Sequence, residues 1–542
     1  MSKLVKKIED IIDEVATTVS FDPQASAREK EAKNQSSVTF PKILDFAFPD
    51  GVSSSFIAQV GEVTYVGDGV VHATGLDRAK IDEIVEIRTA EGAEKALILG
   101  IREDRVEAVV LGDYSNIKRA QEVKSTGSKL RIPSGSDLLG RVISPLGLPI
   151  DGKGPTHSSS HRDVEFPAPG VLDRSPIKEP LETGVMVLDS TIPVGKGQRE
   201  LVIGDRKTGK SRTMLDIISN QKGRNVYCIY VGVGMQAAKA KATYELLEKR
   251  GALKHTTLVI SLADDPPSLQ YIAPYTGAAL GEHFMYEGKH ALVVYDDLSK
   301  QAKAYRQVSL LLKRSPGRDA YPGDIFFLHS RLLERASKLS LKKKGGSLTA
   351  LPVAETQGGD VSDYIITNLM SITDGHIYLD ANMMHEGILP AVNSGTSVSR
   401  IGGKVQSKLL QKVGELTGRT LARYNEVKSF ETINTEVAED TIRDINRGKR
   451  IREILSQDSD LNLTFDEQIV MLGISTSSRM DHLELQNSIT FKENIIPFYR
   501  KEFQNDVKSK IESSKELKEI DTDLDRIFFQ FSKKYKLPLA NK

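Results

Sequence analysis

Eight consecutive residues near the middle of the chain carry the clearest chemistry. Gly204-Asp205-Arg206-Lys207-Thr208-Gly209-Lys210-Ser211 has the spacing G-x-x-x-x-G-K-[ST]. The two glycines allow a loop whose backbone N–H groups converge on phosphate oxygens. Lys210 brings charge to the outer phosphates, and the Ser211 hydroxyl can ligate Mg2+. The short run Glu200-Leu201-Val202-Ile203 before the loop reads as a strand. Met214, Leu215, Ile217 and Ile218 after it fit a helix over 212–222. Strand, loop, helix is the context the motif requires, and a chance match on a surface turn lacks it. All eight residues are candidate nucleotide-binding residues, with ATP or ADP as the ligand.

A phosphate loop of this type needs an acidic partner on a neighbouring strand to hold Mg2+. In His290-Ala291-Leu292-Val293-Val294-Tyr295-Asp296-Asp297 an apolar strand runs into Asp296. Asp296 then falls at a strand's C-terminal end, where ligands gather in open α/β sheets. Taken alone it reads as a solvated loop aspartate; with the phosphate loop it is the candidate metal residue beside Ser211.

The elements that must position these groups follow from the rest of the chain. A length of 542 residues exceeds one typical domain and implies three or four. Residues 4–19 repeat apolar side chains at helical spacing, and 21–37 is a polar linker. Between 56 and 132 short strands alternate with turn signals, which predicts a small β-barrel. A Pro/Gly-rich connector over 141–180 leads to alternating strands and helices as far as 395, the pattern of a mostly parallel sheet covered by helices. The expected strands are 226–231, 258–261, 292–295, 325–328 and 348–352. Beyond 405 the strands cease, and 436–455, 465–472 and 488–513 read as helices. The expected layout is an N-terminal extension (1–55), a β-barrel (56–132), an α/β phosphate-loop domain (133–404) and a helical domain (405–542).

Composition narrows the function classes. A net charge of +1 gives no bulk attraction to nucleic acid or to anionic lipid. The single cysteine, Cys228, excludes an internal disulfide and sits in an apolar run, so a buried, inert thiol is expected. No apolar run has the length of a membrane span, and the N-terminus lacks the apolar core of a signal peptide. A soluble, intracellular chain is expected.

Barrel, phosphate-loop domain and helical domain, in that order, resemble the head subunits of rotary ATPases. The motifs are specific: Gln198-Arg199-Glu200-Leu201-Val202-Ile203 running into the phosphate loop, Tyr295-Asp296-Asp297-Leu298-Ser299-Lys300-Gln301-Ala302, Pro316-Gly317-Arg318-Asp319-Ala320-Tyr321-Pro322-Gly323-Asp324, His329-Ser330-Arg331-Leu332-Leu333-Glu334-Arg335, Gly346-Ser347-Leu348-Thr349-Ala350-Leu351-Pro352 and Ser371-Ile372-Thr373-Asp374-Gly375. Together they are similar to the alpha subunits of F-type ATP synthases across about 60–475. The resemblance implies an alternating hexamer with beta-type catalytic subunits around a gamma-type central stalk. Peripheral-stalk or other proteins would meet the N-terminal extension. It implies no nucleic-acid partner, contact with a membrane only through the complex, and a cytoplasmic place on the inner face of the cell membrane. It also implies that alpha's own site holds nucleotide without turnover. Its catalytic contribution is an arginine reaching into the beta site: here Arg400, in Ser397-Val398-Ser399-Arg400. Ser371 and Ser397 are the accompanying interface candidates. Pro390 and Gln457 are the candidate base-pocket residues.

Hydrolysis needs a group to orient or deprotonate the attacking water. In beta subunits that group is a glutamate after the strand that follows the phosphate loop. Here the strand ends in Gly232-Val233-Gly234-Met235-Gln236. A thioether is no base, and on an extended strand the one-residue offset turns Gln236 the other way. Further departures from the alpha pattern are Lys207 for Gln, Ser211 for Thr, Leu389 for Arg beside Pro390, Ser459 for a second Gln, and the run Ala237-Ala238-Lys239-Ala240-Lys241-Ala242. The phosphate grip is retained and the base pocket altered. Alternatives within the same fold are a specialised F1-like motor driving another load, such as gliding, and a self-sufficient flagellar or type III export ATPase. An RNA-translocating hexameric helicase would need a basic channel, which the net charge does not support.

Overall fold

The computed structural model describes residues 59–428, 438–458 and 461–538. The expected N-terminal helix and linker, the first residues of the expected barrel, and Ser459 lie outside the described residues.

Six strands close the barrel: β1 (Val60–Gly67), β2 (Val70–Thr74), β3 (Glu83–Thr89), β4 (Gly92–Ile101), β5 (Val106–Val110) and β6 (Glu122–Lys129), ordered β1-β2-β5-β4-β3-β6. Pairing of Gly67 with Val70 leaves Asp68-Gly69 as a two-residue turn, and both residues have positive φ. That turn geometry matches the right-handed twist of the strands it joins. Alternation sends Val63, Val85, Ile87, Ile98, Ala108, Val110 and Val123 inward. The expected barrel is thus present, and closure leaves no exposed strand edge.

The chain then passes through β7 (Arg131–Ser134), β8 (Val142–Ile143), β9 (Ser160–Asp163) and the short helix α1 (Met186–Thr191). The 141–180 segment is a connector, as its Pro/Gly content predicts, yet β8 docks on the edge of the large sheet beyond it. That sheet is built from β10 (Leu201–Gly204), helix α2 (Lys210–Asn220), β11 (Val226–Met235), α3 (Ala237–Lys249), β12 (Thr256–Leu262), α4 (Pro267–Tyr286), β13 (His290–Asp296), α5 (Leu298–Leu311), α6 (Ile325–Leu333), β14 (Ser347–Glu355), α7 (Tyr364–Ile372), β15 (Gly375–Leu379), α8 (Ala381–His385) and β16 (Val398–Ser399). The strand order is β16-β15-β10-β14-β13-β11-β12-β8, parallel except for β16 against β15. Strands 226–231, 258–261, 292–295 and 348–352 are found as expected. Cys228 is buried in β11, where burial pushes its thiol up from its ordinary value.

One strand assignment fails. Residues 325–328 are not a strand but the start of α6. Ile325, Leu328, His329, Leu332 and Leu333 are buried while Phe326 and Phe327 face out. That is the 3.6-residue period, and a four-residue apolar window cannot reveal it.

Among the described residues six α-helices follow: α9 (Lys408–Val427), α10 (Glu439–Leu455), α11 (Phe465–Ser475), α12 (Leu485–Glu502), α13 (Gln504–Ser513) and α14 (Leu517–Tyr535). The expected helix over 488–513 is two helices broken at Phe503, which packs on Phe498. α9 and α14 were not among the expected spans, although both are amphipathic. The helical region meets the sheet domain closely at α9. A Cβ on Gly414 would lie 2.0 Å from the Ser190 carbonyl oxygen of α1, so only glycine allows this approach. Gln406 Nε2 donates to the carbonyls of Asp189 and Ser190 at 2.6 and 3.1 Å, tying the same two segments.

Behind the sheet, α4 carries a buried ion pair. Arg335, just after α6, donates from Nε and Nη2 to both carboxylate oxygens of Glu282 at 2.8 and 2.7 Å, and from Nη1 to the Val164 carbonyl at 2.7 Å. Both side chains are fully buried. The bidentate geometry satisfies groups that would otherwise be costly to bury.

Candidate functional site

The phosphate loop joins β10 to α2. Gly209 takes the left-handed conformation (φ 90°) and caps α2 without a side chain. The first N–H groups of α2 have no helical acceptor and point into the loop, together with the positive end of the helix dipole. This is an anion cradle of the kind that binds phosphate. Thr208 is buried and donates to the Asp205 carbonyl at 2.8 Å, which holds the loop's curvature. Asp205 itself accepts from Thr356 Oγ1 at 2.6 Å and from the Gly359 N–H at 2.9 Å. Arg206 pairs with Glu355. The side chains of these two residues therefore anchor the loop to the end of β14 and the segment that follows it. Lys207 is exposed on the loop.

Lys210 folds over the loop and donates to the Gly204 carbonyl at 2.6 Å. Burial lowers its pKa from the ordinary lysine value, opposed by Glu355, Asp297, Asp296 and Asp205 around it. A phosphate anion beside that ammonium would favour its charged form.

The structure brings Ser211 and Asp296 together across two strands. Ser211 Oγ donates to Asp296 Oδ2 at 2.6 Å. The Tyr230 hydroxyl, from β11, reaches the same oxygen at 2.5 Å. Burial would raise the Asp296 pKa, but Lys239 and the Ser211 and Tyr230 hydroxyls hold it below its usual value. Next to it, Asp297 caps α5 by accepting the Lys300 N–H at 2.7 Å, and burial pushes its carboxyl up to about 6. A hydroxyl and a carboxylate at the tip of a phosphate loop are the oxygen donors that suit Mg2+, which keeps several waters and takes one or two protein ligands.

From Gly209 a cavity of about 250 Å³ runs to Leu389, Pro390 and Gln457, with Val185 and Ala391 in its wall. Pro390 and Gln457 thus meet the phosphate loop through one continuous space. The Gln457 amide is fully engaged in holding backbone. Oε1 accepts the Met186 N–H at 2.9 Å, and Nε2 donates to the carbonyls of Gly184, at 2.7 Å, and Leu461. Its role is to shape the wall. Leu389, 44 % exposed, gives the mouth an apolar lip in place of a cation.

At the end of β11, Met235 is buried. Its methyl group lies against Gly232, where a Cβ would come within 2.8 Å. Gln236 is exposed as the N-cap of α3. No Asp or Glu occurs from Val226 to Tyr244, so nothing on this segment can take a proton from water.

Arg400, Ser397 and Ser371 form a separate group. Ser399 pairs with Gly375 at the start of β15, and the Arg400 N–H donates to the Asp374 carbonyl at 2.8 Å. Asp374 in turn faces Arg199, before β10 begins. From Arg199 to Gly204 the extended chain advances five residues, about 16 Å, which puts Arg400 and Gly204 at opposite ends of the sheet. Arg400 is exposed, and among the described residues its guanidinium makes no hydrogen bond or ion pair. Ser371 is exposed in the last turn of α7, at the same end of the sheet. Ser397 Oγ accepts the Tyr378 N–H at 2.9 Å and donates to the Asn393 carbonyl at 2.7 Å, bracing the segment that presents Arg400.

One residue escaped sequence reasoning. Lys239, in the first turn of α3, places Nζ 3.0 Å from Ser211 Oγ and 3.3 Å from Asp296 Oδ2. Its only signal is a lysine within a run that departs from the family pattern.

Among the described residues no helix is long and apolar enough to cross a membrane. Sequence profiles of the ATP synthase alpha/beta family match three stretches: the beta-barrel domain over 57–127, the nucleotide-binding domain over 184–399 and the C-terminal domain over 406–531. The chain is 44 % identical over 501 residues to the ATP synthase subunit alpha of Caldanaerobacter subterraneus subsp. tengcongensis, covering 92 % of this chain and 97 % of that protein. It is 45 % identical over 480 residues to the ATP synthase subunit alpha of Petrotoga mobilis, covering 88 % and 95 %. With a closed barrel, a phosphate-loop sheet and a helical region in the order of that family, the chain belongs to the ATP synthase alpha/beta family.

Proposed function

We propose that this chain is the alpha-type subunit of an F1-type rotary ATPase. It holds ATP or ADP without turning it over and lends Arg400 to the catalytic site of a neighbouring beta-type subunit. One observation carries the reading: a cradle built for phosphate stands beside Met235, where a hydrolase needs a base. The relatives' names agree with it and do not favour a self-sufficient export ATPase.

In this reading the backbone N–H groups of the loop bind phosphate oxygens, and Lys210 neutralises them. Ser211 and Asp296 would hold Mg2+, which when bound supplies charge to the phosphate oxygens. Pro390 and Gln457 border the space for the base. At this end of β11 the chain offers the buried thioether of Met235, packed against Gly232, and no carboxylate to activate a water. Arg400 is beyond reach of this cradle and, with Ser371 and Ser397, serves a neighbour's site. The partners are beta-type subunits alternating with this one, a gamma-type central stalk, and peripheral-stalk or other proteins at the N-terminal extension. No nucleic acid takes part. The complex sits at the cytoplasmic face of the cell membrane. Limits of 56–132, 133–404 and 405–542 for the three folded domains suit this assignment.

The full-length chain, purified alone, is expected to bind Mg-ATP and to hydrolyse it negligibly. Lys210→Ala is expected to weaken binding about a hundredfold, the loss of one charge-assisted contact. Turnover by the pure chain near the rate of the assembled complex would overturn the reading. Native mass spectrometry of the purified complex is the complementary test. Masses of beta- and gamma-type partners support it, and an active homo-hexamer favours the export-type alternative instead.

A further inference from the structure

Lys239 belongs to no motif of the nucleotide site, yet its ammonium stands inside it, 3.0 Å from Ser211 Oγ and 3.3 Å from Asp296 Oδ2. Those two oxygens are themselves 2.6 Å apart. A cation bridging this hydroxyl and this carboxylate is the arrangement that suits a divalent ion, and here the chain supplies the cation itself.

The acceptor is held in place. Asp296 is 4 % exposed, and Tyr230 fixes the same oxygen from the far side. Lys239 is also placed against local preference. It lies in the first turn of α3, where the helix dipole disfavours a cation, and that turn has no acidic residue to offset it. The compensating carboxylate is Asp296, across the loop. Lys210 bonds the loop's own carbonyl at Gly204 and Lys239 the Ser211–Asp296 pair, so the two ammonium groups occupy different places in the site. The Lys239 side chain is 46 % exposed, which leaves its stem free to withdraw into solvent when a metal ion takes its place.

We propose that Lys239 is a built-in counter-cation of the phosphate site, through which this chain retains a nucleoside di- or triphosphate after divalent cations are removed. The proposal rests on the nucleotide-site reading above. An ammonium donates hydrogen bonds and carries half the charge of Mg2+. It can therefore neutralise a bound phosphate but cannot replace the metal's coordination. Retention without turnover is the property it supports.

The test is equilibrium binding of a fluorescent ADP analogue to the full-length chain, in excess Mg2+ and in excess EDTA. Wild type is expected to bind in the two media with affinities within about threefold. Lys239→Met keeps the length of the side chain and removes the charge. It is expected to match wild type in Mg2+ and to bind at least about tenfold more weakly in EDTA. Mn2+ affinity of the ADP-loaded chain, read by electron paramagnetic resonance, is expected to rise in the variant because its competitor is gone. Wild-type binding that collapses in EDTA overturns the proposal alone, as does unchanged Mn2+ affinity. A folded Lys239→Met variant that is equally weak in both media makes Lys239 an ordinary phosphate contact and also overturns it. Absence of nucleotide binding by wild type in both media overturns the nucleotide-site reading itself, and the proposal with it.

Discussion

Replacing Arg400 by lysine is expected to lower ATP turnover of the assembled complex by about a thousandfold or more, while nucleotide bound to this chain stays unchanged. Arginines supplied in trans to a transferring phosphoryl group are worth about 10³–10⁵ in rate, or about 4–7 kcal/mol of barrier. Lysine keeps the charge but loses the planar fork that can hold two phosphoryl oxygens at once. The geometry makes the two halves of the prediction separable. Arg400 stands about 16 Å along the sheet from Gly204, just after the short strand β16 at the sheet edge, and Lys210 and Ser211 do not touch it. The assay is turnover by the reconstituted complex, with hexamer content and bound nucleotide measured on the same preparation. Near-normal turnover removes Arg400 from the mechanism. Lost turnover together with lost hexamer leaves it only an assembly role.

The parts of this site that a reader of the sequence can find are those where short spacing dictates backbone geometry. The phosphate loop is legible because two glycines, a lysine and a hydroxyl in eight residues permit few other uses. Asp296 is legible because an apolar strand aims it at the same sheet end. The barrel is legible from Asp68-Gly69 and the alternation that flanks it. Distance along the chain defeats the same reasoning elsewhere. Lys239 meets Asp296 only because β11 and β13 are adjacent in the sheet, and nothing local to Ala237-Ala238-Lys239 says so. Gln457 stands in the cavity wall, but its amide is committed to Met186 and Gly184, nearly the whole sheet domain away in sequence. The error at 325–328 has another cause. Ile325-Phe326-Phe327-Leu328 is apolar throughout, so a short window holds no period to read. Only His329, Leu332 and Leu333 reveal that one face is buried. β8, two residues long, has too little sequence to announce that it joins the large sheet.

The largest stability effect is expected at Arg335, away from any nucleotide. Arg335→Met keeps the bulk of the side chain and leaves Glu282 buried without its bidentate partner. Breaking such a pair costs about 3–5 kcal/mol, most of it from the stranded charge. Arg162, whose Nη2 lies 3.3 Å from Glu282, offsets part of this, so the lower end of the range is expected. The control is the double variant Arg335→Met/Glu282→Leu. It removes both charges, and because well-packed apolar replacements of buried ion pairs are often neutral or stabilising, it should recover most of the loss. Urea unfolding of the full-length chain, at matched nucleotide, reads both. A cost under about 1 kcal/mol for the single variant would mean that water reaches Glu282, against its full burial here. The consequence reaches function through α4, which carries Glu282 and packs across β11 and β13. Those two strands end in Met235 and Asp296, so loosening α4 shifts the Ser211–Asp296 pair before it melts the sheet. Nucleotide retention should therefore fall in the single variant at urea concentrations below its unfolding midpoint, and should return in the double variant.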